Sequence, residues 1–370
     1  GITTAYIGAI NDGPISGARN RIINGDMRVD QRNAGASVNV TTTSNTYPVD
    51  RFAFEQGQIS SNAGSIQRVA DAPVGFTSSV KYTAGSTTFA ITTGWGAFHQ
   101  RIEGFNVSDL KWGTSSASPV TLSFWVKASV TGLYTVNMTH YDGALERWNN
   151  ITYTINSTNT WEYKTMTFIG DTSYGIVDDN GTNGWMRVYW HLGDGGGAST
   201  TTSFNTWFSG AAANRGASGT TNIMGTAGRT WQITGVQLEA GTVATPFERR
   251  SYGQELALCQ RYCCGSDTRG QAANYHHFGV YTSDGTTSGM ANISFPVTMR
   301  VRPTSIKSSA SNKFWGYGCT GFTNLIYDQG GLTSAAFNLS GGSGGQAAGT
   351  AGRLLANNTT DAYILFEAEL

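Results

Sequence analysis

The sequence is poor in charge and has no long apolar run, and both shortages exclude classes of partner. Charged residues make up 13% of the 370 residues, the formal net charge is zero, and no run of basic residues occurs. We therefore expect no nucleic-acid partner, because such binding rests on clustered cationic side chains. No apolar stretch approaches the roughly 20 residues that a membrane-spanning helix requires. We accordingly expect no membrane insertion.

Cysteine is also scarce, which limits disulfides and metal sites. The four cysteines are Cys259, Cys263, Cys264 and Cys319. The first three fall close together in a predicted helix, where neighbouring Cβ vectors rarely permit a disulfide. A zinc site would need a second closely spaced cysteine pair, which the sequence does not contain. We predict buried free thiols, no structural metal and no cofactor.

The abundant residues indicate an all-β protein. Glycine is frequent, with 48 residues, and aromatic residues reach 12%, whereas prolines number only 7. Aromatic strand positions with many polar turns are typical of antiparallel sheets. A chain of 370 residues also exceeds the roughly 250–300 residues at which one hydrophobic core stops growing. Two β domains are the expectation.

Apolar and polar residues alternate in several segments, as they do in strands that are buried on one face. Leu122, Phe124 and Val126 would face the core, which turns Trp125 outward. Met186 to Leu192 shows the same period of two. Roughly ten such strands at short spacing predict a jelly-roll β-sandwich.

The stretch from Trp231 to Gly265 joins the two predicted domains. Its apolar alternation changes phase at Gly235, which predicts a β-bulge in the closing strand of the jelly roll. Ser251 then begins a capping-box pattern with Gln254. Apolar residues follow at helical spacing up to Gly265, which we interpret as the residue after the helix end. We expect a hinge made of a strand, a short connector and one helix.

These signals predict four segments. Residues 1–18 form an N-terminal docking arm or a loosely ordered leader, and residues 19–248 form the jelly roll. Residues 249–265 form the connector and helix, and residues 266–370 form a smaller C-terminal β domain. This last segment has few strong apolar runs, so we expect it to complete its core against copies of itself.

Several motifs resemble a family of bacteriophage tail-fibre and virion-appendage proteins. They are RNRIINGDMRVDQRNAG with PVDRF, QRIEGFNVSDLKWGTSSASPVTLSFWVKAS, TWEYKTMTFIGDT and ITGVQLEAGTVATPFERRSYGQELALCQRYC. The resemblance covers roughly residues 19–264. It implies a jelly roll similar to carbohydrate-binding modules, a homotrimer, and a variable C-terminal tip that contacts the receptor.

The resemblance also implies a place and a set of partners. The protein would lie in the virion, as a tail or capsid appendage, and residues 1–18 would contact other virion structural proteins. Its receptor would be a host cell-surface polysaccharide or lipopolysaccharide. A capsid-attached head fibre, a polysaccharide depolymerase and a secreted carbohydrate-binding protein stay open as alternatives. The last is disfavoured because no signal-peptide pattern follows Gly1.

Catalytic and metal-binding patterns are weak. Glycoside hydrolysis needs two carboxyl groups across a cleft, roughly 5–10 Å apart, and no spacing in the sequence pairs any two carboxylates. We therefore predict a protein that is not an enzyme. Adjacent His276 and His277 face opposite sides of a strand, so a metal would need one histidine from each subunit of a trimer. The oxygen-rich turn at 178–181, or Asp194, could hold Ca²⁺.

Two sets of residues are our candidate binding positions. Aromatic faces beside polar turns suit the C–H surfaces of sugars. The candidate glycan-binding residues are Trp125, Trp148, Trp185, Tyr189, Tyr275, His276, Trp315 and Tyr317. The broad apolar surface of the helix suggests packing at a three-fold axis. The candidate trimer contacts are Leu256, Leu258, Cys259 and Tyr262.

Overall fold

A computed structural model describes most of the chain. The described residues are 19–40, 45–57, 63–85, 94–180, 184–194, 204–209, 215–269, 275–316, 318–344 and 347–370, with the two-residue strands β1 (Ala9–Ile10) and β2 (Gly13–Pro14). Most of the expected docking arm, and Tyr317, lie outside these residues. The chain divides into two compact units, Gly1–Tyr252 with Leu370 and Gly253–Glu369. Across the described ranges, no helix is long and apolar enough to span a bilayer.

The first unit contains two large antiparallel sheets, besides the small antiparallel pair of β1 and β2. Their strands are β3 (Val38–Asn39), β4 (Thr46–Val49), β5 (Phe52–Gly57), β6 (Gly64–Val69), β7 (Ser79–Ala84), β8 (Trp95–Glu103), β9 (Val120–Ala128), β10 (Gly132–Tyr141), β11 (Glu146–Ile155), β12 (Glu162–Phe168), β13 (Trp185–Asp194), β14 (Phe208–Ser209) and β15 (Thr230–Ala240). The seven-stranded sheet has the order β14-β11-β10-β13-β8-β5-β4, and the six-stranded sheet has the order β12-β9-β15-β7-β6-β3. Two 3-10 turns, Gly104–Asn106 and Ser108–Leu110, follow β8.

The core lies between these two sheets. Alternate residues of each long strand are fully buried, among them Phe124 of β9 and Trp190 of β13. Rings from the two sheets meet there: the Phe124 and Trp190 centroids are 5.5 Å apart, and those of Phe98 and Trp231 are 5.8 Å apart. The predicted inward and outward alternation and the jelly-roll sandwich are therefore confirmed.

The bulge expected in the closing strand is present. The pairing of β15 with β9 shifts register between Thr234 and Gln237, and Gly235 has φ +62°. A glycine in this left-handed region is the residue that a bulge of this kind requires. The shift keeps Trp231, Ile233, Val236 and Leu238 in the core although their spacing changes parity.

The helix is shorter than the sequence indicated. Helix α1 runs from Tyr252 to Gln260, and Cys263 already begins strand β16 (Cys263–Asp267). Gly265 does not end the helix, because it pairs with Leu365 in the next sheet. A Cβ at Gly265 would lie 1.9 Å from the Ile364 carbonyl oxygen, so this glycine permits a close approach of two strands.

Two expected trimer contacts are interior positions instead. The side chains of Cys259 and Tyr262 are buried within the chain, so neither can offer a surface to another copy. Strand β16 begins at Cys263, directly after Tyr262. Leu256 is half-buried and Leu258 is 36% exposed, and both remain predicted contacts. All four cysteines are free and buried, as the sequence predicted.

The second unit also contains two antiparallel sheets. Besides β16, its strands are β17 (His277–Ser283), β18 (Gly289–Ser294), β19 (Ile306–Ser308), β20 (Phe314–Gly316), β21 (Asn324–Gly330), β22 (Ser334–Ser340), β23 (Ala351–Ala356) and β24 (Tyr363–Glu367), with a 3-10 turn at Ser311–Lys313. Their orders are β16-β24-β19 and β20-β23-β17-β18-β22-β21. The core of this unit includes Phe314, Phe337 and Phe366. Strand β23 begins within the glycine-rich stretch 341–352.

Candidate functional site

A groove on the outer face of the six-stranded sheet gathers aromatic rings in the first unit. We call it the aromatic groove and define it by Phe76, Trp125, Tyr163, Phe247 and Arg249. It encloses about 520 Å³, within the range of roughly 300–1,000 Å³ that is typical of small-ligand sites. The strand register brings two of its rings together, because Trp125 of β9 lies directly opposite Tyr163 of β12.

Two ring pairs form the groove. The Trp125 and Tyr163 centroids are 5.3 Å apart with their planes tilted by 45°, and Tyr163 is 44% exposed. Phe76 and Phe247 meet edge to face at 5.2 Å. Both come from segments outside the strands, one before β7 and one after β15. Partly exposed rings of this kind offer apolar surface to a ligand while their edges stay packed.

One cation lies at the groove. The Arg249 guanidinium carbon lies 4.8 Å from the Phe76 ring centroid and 5.7 Å from that of Phe247. Its Nη2 donates to the Gly75 carbonyl oxygen at 2.6 Å, which fixes the side chain over the rings. The residue is otherwise exposed. The groove therefore offers N–H donors beside aromatic surface, the combination that hydroxyl-rich ligands use.

A buried carboxylate holds the wall that carries Pro246 and Phe247. Glu239 accepts the Thr245 backbone N–H at 2.8 Å and its hydroxyl at 2.7 Å. Gln237 donates to the same carboxylate at 2.9 Å, and its own side-chain oxygen accepts the Glu248 N–H at 2.7 Å. These bonds fasten the segment after β15 back onto the strand, which keeps Phe247 at the groove.

The bulge glycine makes room for the rings. A Cβ at Gly235 would lie 2.7 Å from Phe76 Cζ and 3.1 Å from Trp125 Cδ1. Any side chain there would push at least one ring away. The bulge therefore serves the groove as well as the core, a link that the sequence pattern did not indicate.

A second aromatic surface lies on the outer face of the seven-stranded sheet. We call it the arginine face and define it by Trp95, His99, Trp148, Arg187 and Tyr189. Tyr189 is at its centre, with centroids 6.1 Å from Trp148, 6.4 Å from Trp95 and 4.9 Å from His99. Trp148 and Tyr189 are each only 3% exposed, so neither ring has an open side for a sugar in this conformation.

Charges on the arginine face are paired. Arg187 lies 3.9 Å over the Tyr189 ring, donates to Glu146 at 2.6 Å, and approaches Glu55 at 3.6 Å. Tyr189 donates its hydroxyl to Glu55 at 2.7 Å. Burial, reinforced by the nearby arginines, holds the pKa of His99 well below its usual range, so its ring is neutral.

The other predicted glycan residues are placed as follows. Trp185 is half-buried, stacks on Tyr141 at 5.7 Å and lies beside the arginine face. In the second unit Tyr275 is exposed, whereas His276 is half-buried and shares a hydrogen bond of 2.8 Å with the Ser266 hydroxyl. Trp315 is half-buried on β20. Of the predicted residues that the structure describes, only Trp125 therefore belongs to the aromatic groove.

The other residues that define the aromatic groove were not predicted from the sequence. Tyr163 could have been found, because Met166 and Phe168 of its strand are buried and their parity turns Tyr163 outward. Phe76, Phe247 and Arg249 lie in connecting segments, where no periodicity indicates the direction of a side chain.

Among the residues that the structure describes, no cluster of three metal-binding side chains occurs.

Comparisons with known proteins found similar folds but no family. No family model and no curated protein matches the chain. A tailspike protein 4 enzymatically active domain of bacteriophage CBA120 aligns with 60% of this chain and 21% of its own, at 12% identity and TM-score 0.32. The CBM22-1 xylan-binding domain of Paenibacillus barcinonensis Xyn10C aligns with 61% and 96%, at 9% identity and TM-score 0.29.

A family 11 carbohydrate-binding module from Clostridium thermocellum, in complex with a mixed-linked tetrasaccharide, is also similar. It aligns with 56% of this chain and 98% of its own, at 10% identity and TM-score 0.27. With TM-scores below 0.5, none of these likenesses assigns a function to the chain.

Proposed function

We propose that this protein binds a glycan in the aromatic groove. The observation that carries the proposal is the partly exposed Trp125–Tyr163 ring pair, set beside Phe76, Phe247 and the Arg249 guanidinium in one cavity of the first unit. Sugar rings present C–H surfaces to aromatic faces and hydroxyl groups to N–H donors, and the groove supplies both.

Binding occurs without catalysis in this proposal. The described residues that line the groove include no aspartate or glutamate, and Glu239, which holds its wall, is buried. Glycoside hydrolysis usually depends on two carboxyl groups flanking the bond that breaks. A depolymerase would therefore need a different site.

The proposed biological setting rests on the resemblance of the sequence motifs to phage fibre proteins. We propose a phage virion fibre, located in the virion and acting as a homotrimer in adsorption to a host cell-surface polysaccharide or lipopolysaccharide. A capsid-attached head fibre would use the same groove in the same way. Three copies of one weak site on a trimer would raise the overall affinity through multivalency.

The test replaces the groove rings in the full chain. We expect Trp125→Ala and Tyr163→Ala each to weaken binding of a host polysaccharide roughly tenfold or more, as loss of a central aromatic contact does. Titration calorimetry gives the affinities. The matched control is Phe105→Ala, which removes an exposed ring outside the groove. Unchanged affinity in both groove variants contradicts the proposed site, and release of reducing ends contradicts binding without catalysis.

A further inference from the structure

Arg215 packs against the arginine face, which belongs to the seven-stranded sheet. The aromatic groove belongs to the other sheet of the same unit. The Arg215 guanidinium carbon is 4.1 Å from the Trp95 ring centroid and 5.7 Å from that of Trp148. The Ala217 backbone N–H donates to Thr135 Oγ1 at 3.0 Å, and both of these residues are fully buried. This bond fixes the segment beside Arg215 to the outer side of strand β10.

Among the residues that the structure describes, three N–H groups at this position have no hydrogen-bond partner. Arg215 Nε, Arg215 Nη1 and Trp148 Nε1 are all buried and unpaired. A buried donor without a partner destabilises the folded state, and does so more when the group is charged. Such groups in a folded protein therefore call for an explanation, such as a bound water, ion or ligand.

Neighbouring carboxylates do not satisfy these donors. Glu146 and Glu55 both lie within ion-pair distance of Arg187, and Glu55 also accepts the Tyr189 hydroxyl. Over the described part of the chain, Arg215 makes no ion pair of its own. Arg187 of the arginine face therefore has counter-ions, whereas Arg215 beside that face has none among the described residues.

We propose that Arg215 and Trp148 form a second binding site, for a carboxylate carried by a sugar. A carboxylate accepts hydrogen bonds only, and its two oxygens match the fork of a guanidinium. The half-buried ring of Trp95 lies beside the cation and supplies apolar surface for the sugar that carries the acid. This site takes an acidic sugar and is separate from the aromatic groove.

The experiment titrates the full chain with trigalacturonic acid and follows tryptophan fluorescence and heat. We expect Arg215→Gln to weaken binding at least roughly tenfold, because it removes charge-assisted hydrogen bonds. Trp148→Phe keeps a ring but loses the N–H, and we expect a loss of a few-fold. The matched control Arg353→Gln removes an exposed arginine of the second unit and should bind as the parent does.

Three outcomes would overturn the proposal. One is unchanged affinity in Arg215→Gln, and another is equal binding of neutral trigalactose, which lacks the acid. Equal affinity for inorganic sulfate would exclude the sugar and leave a site for a bare anion. Trp125→Ala in the aromatic groove should leave trigalacturonate binding intact, so this site and the proposed glycan groove can fail independently.

Discussion

Asp171 forms a buried charge cluster in the first unit. Its carboxylate accepts hydrogen bonds from His140 at 3.1 Å, from Arg147 Nε at 3.0 Å and from the Ser173 N–H at 2.9 Å. Burial alone would raise the pKa of Asp171, but these bonds outweigh it and lower the pKa to about 2. The ionised form is therefore favoured in the folded state more than in the unfolded chain.

This cluster predicts a loss of stability in acid. Because the folded-state pKa lies below the unfolded value of about 3.9, the contribution of Asp171 is fully present above pH 4 to 5. It is lost as the pH falls through about 2. Urea unfolding at pH 5, 3.5 and 2.5 should show this decline. Asp171→Asn should flatten it, and an undiminished slope in that variant would refute the assignment to Asp171.

The same substitution tests the cluster at neutral pH. Asp171→Asn leaves Arg147 without its buried counter-ion, and we expect a loss of roughly 3 kcal/mol in the free energy of unfolding. Asp109→Asn is the matched control in the same unit, because Asp109 is exposed in its ion pair with Arg21. Exposed pairs contribute about 0–1 kcal/mol. Similar losses in the two variants would contradict the structural role of Asp171.

At the scale of residues, the sequence predicted the face of the sheet on which a side chain lies, but not the residues that cover that face. Trp125 and Tyr189 were expected on the outward-facing sides of their strands, whereas Trp148 was expected beside a turn, and the strand pairings place all three on outer faces. Trp125 remains partly open, whereas Trp148 and Tyr189 are buried. The alternation of inward and outward side chains can be read within a single strand. The burial of an outward ring such as Trp148 depends instead on residues that are distant in sequence, such as Arg215.

Among the structural elements, the bulge in β15 could be predicted from the sequence, but its role in making room for the groove rings could not. A phase change at Gly235 is visible in a single strand. The approach of Phe76 and Trp125 to that glycine depends on two other segments of the chain. The end of α1 was misjudged for a related reason. Apolar spacing continues past Gln260, but pairing of β16 with β24 draws those residues into a sheet.

Replacing the bulge glycine should damage both the fold and the groove. Gly235→Ala places a methyl group 2.7 Å from Phe76 Cζ at φ +62°. Left-handed backbone costs a non-glycine residue about 1–2 kcal/mol, and displacement of the ring adds to this. Gly228→Ala is the control, since Gly228 has φ +78° and an added Cβ would meet no atom within 4 Å. It carries the backbone cost alone.

We therefore expect Gly235→Ala to lower the melting temperature more than Gly228→Ala and to weaken glycan binding as well. Calorimetric melting and the polysaccharide titration measure the two effects. Equal melting temperatures with intact binding would show that the rings do not depend on the bulge.

For the whole molecule, the expected homotrimer now depends on fewer residues of α1. Cys259 and Tyr262 are buried in the single chain, which leaves Leu258 and the half-buried Leu256 as predicted contacts on the helix. Burying one leucine side chain contributes about 1.5–3 kcal/mol. A glutamate at position 258 would place an unpaired carboxylate in each of the three helices at the expected three-fold axis.

Light scattering at micromolar concentration should give three times the chain mass of 39.4 kDa for the parent protein. Leu258→Glu should reduce this mass toward that of one chain, because the apolar contact is replaced by mutually repelling carboxylates. Leu332→Glu, at another exposed leucine of the second unit, is the matched control and should keep the parent mass. A parent of one chain mass would refute the trimer. A Leu258→Glu variant of full mass would instead move the contact away from α1.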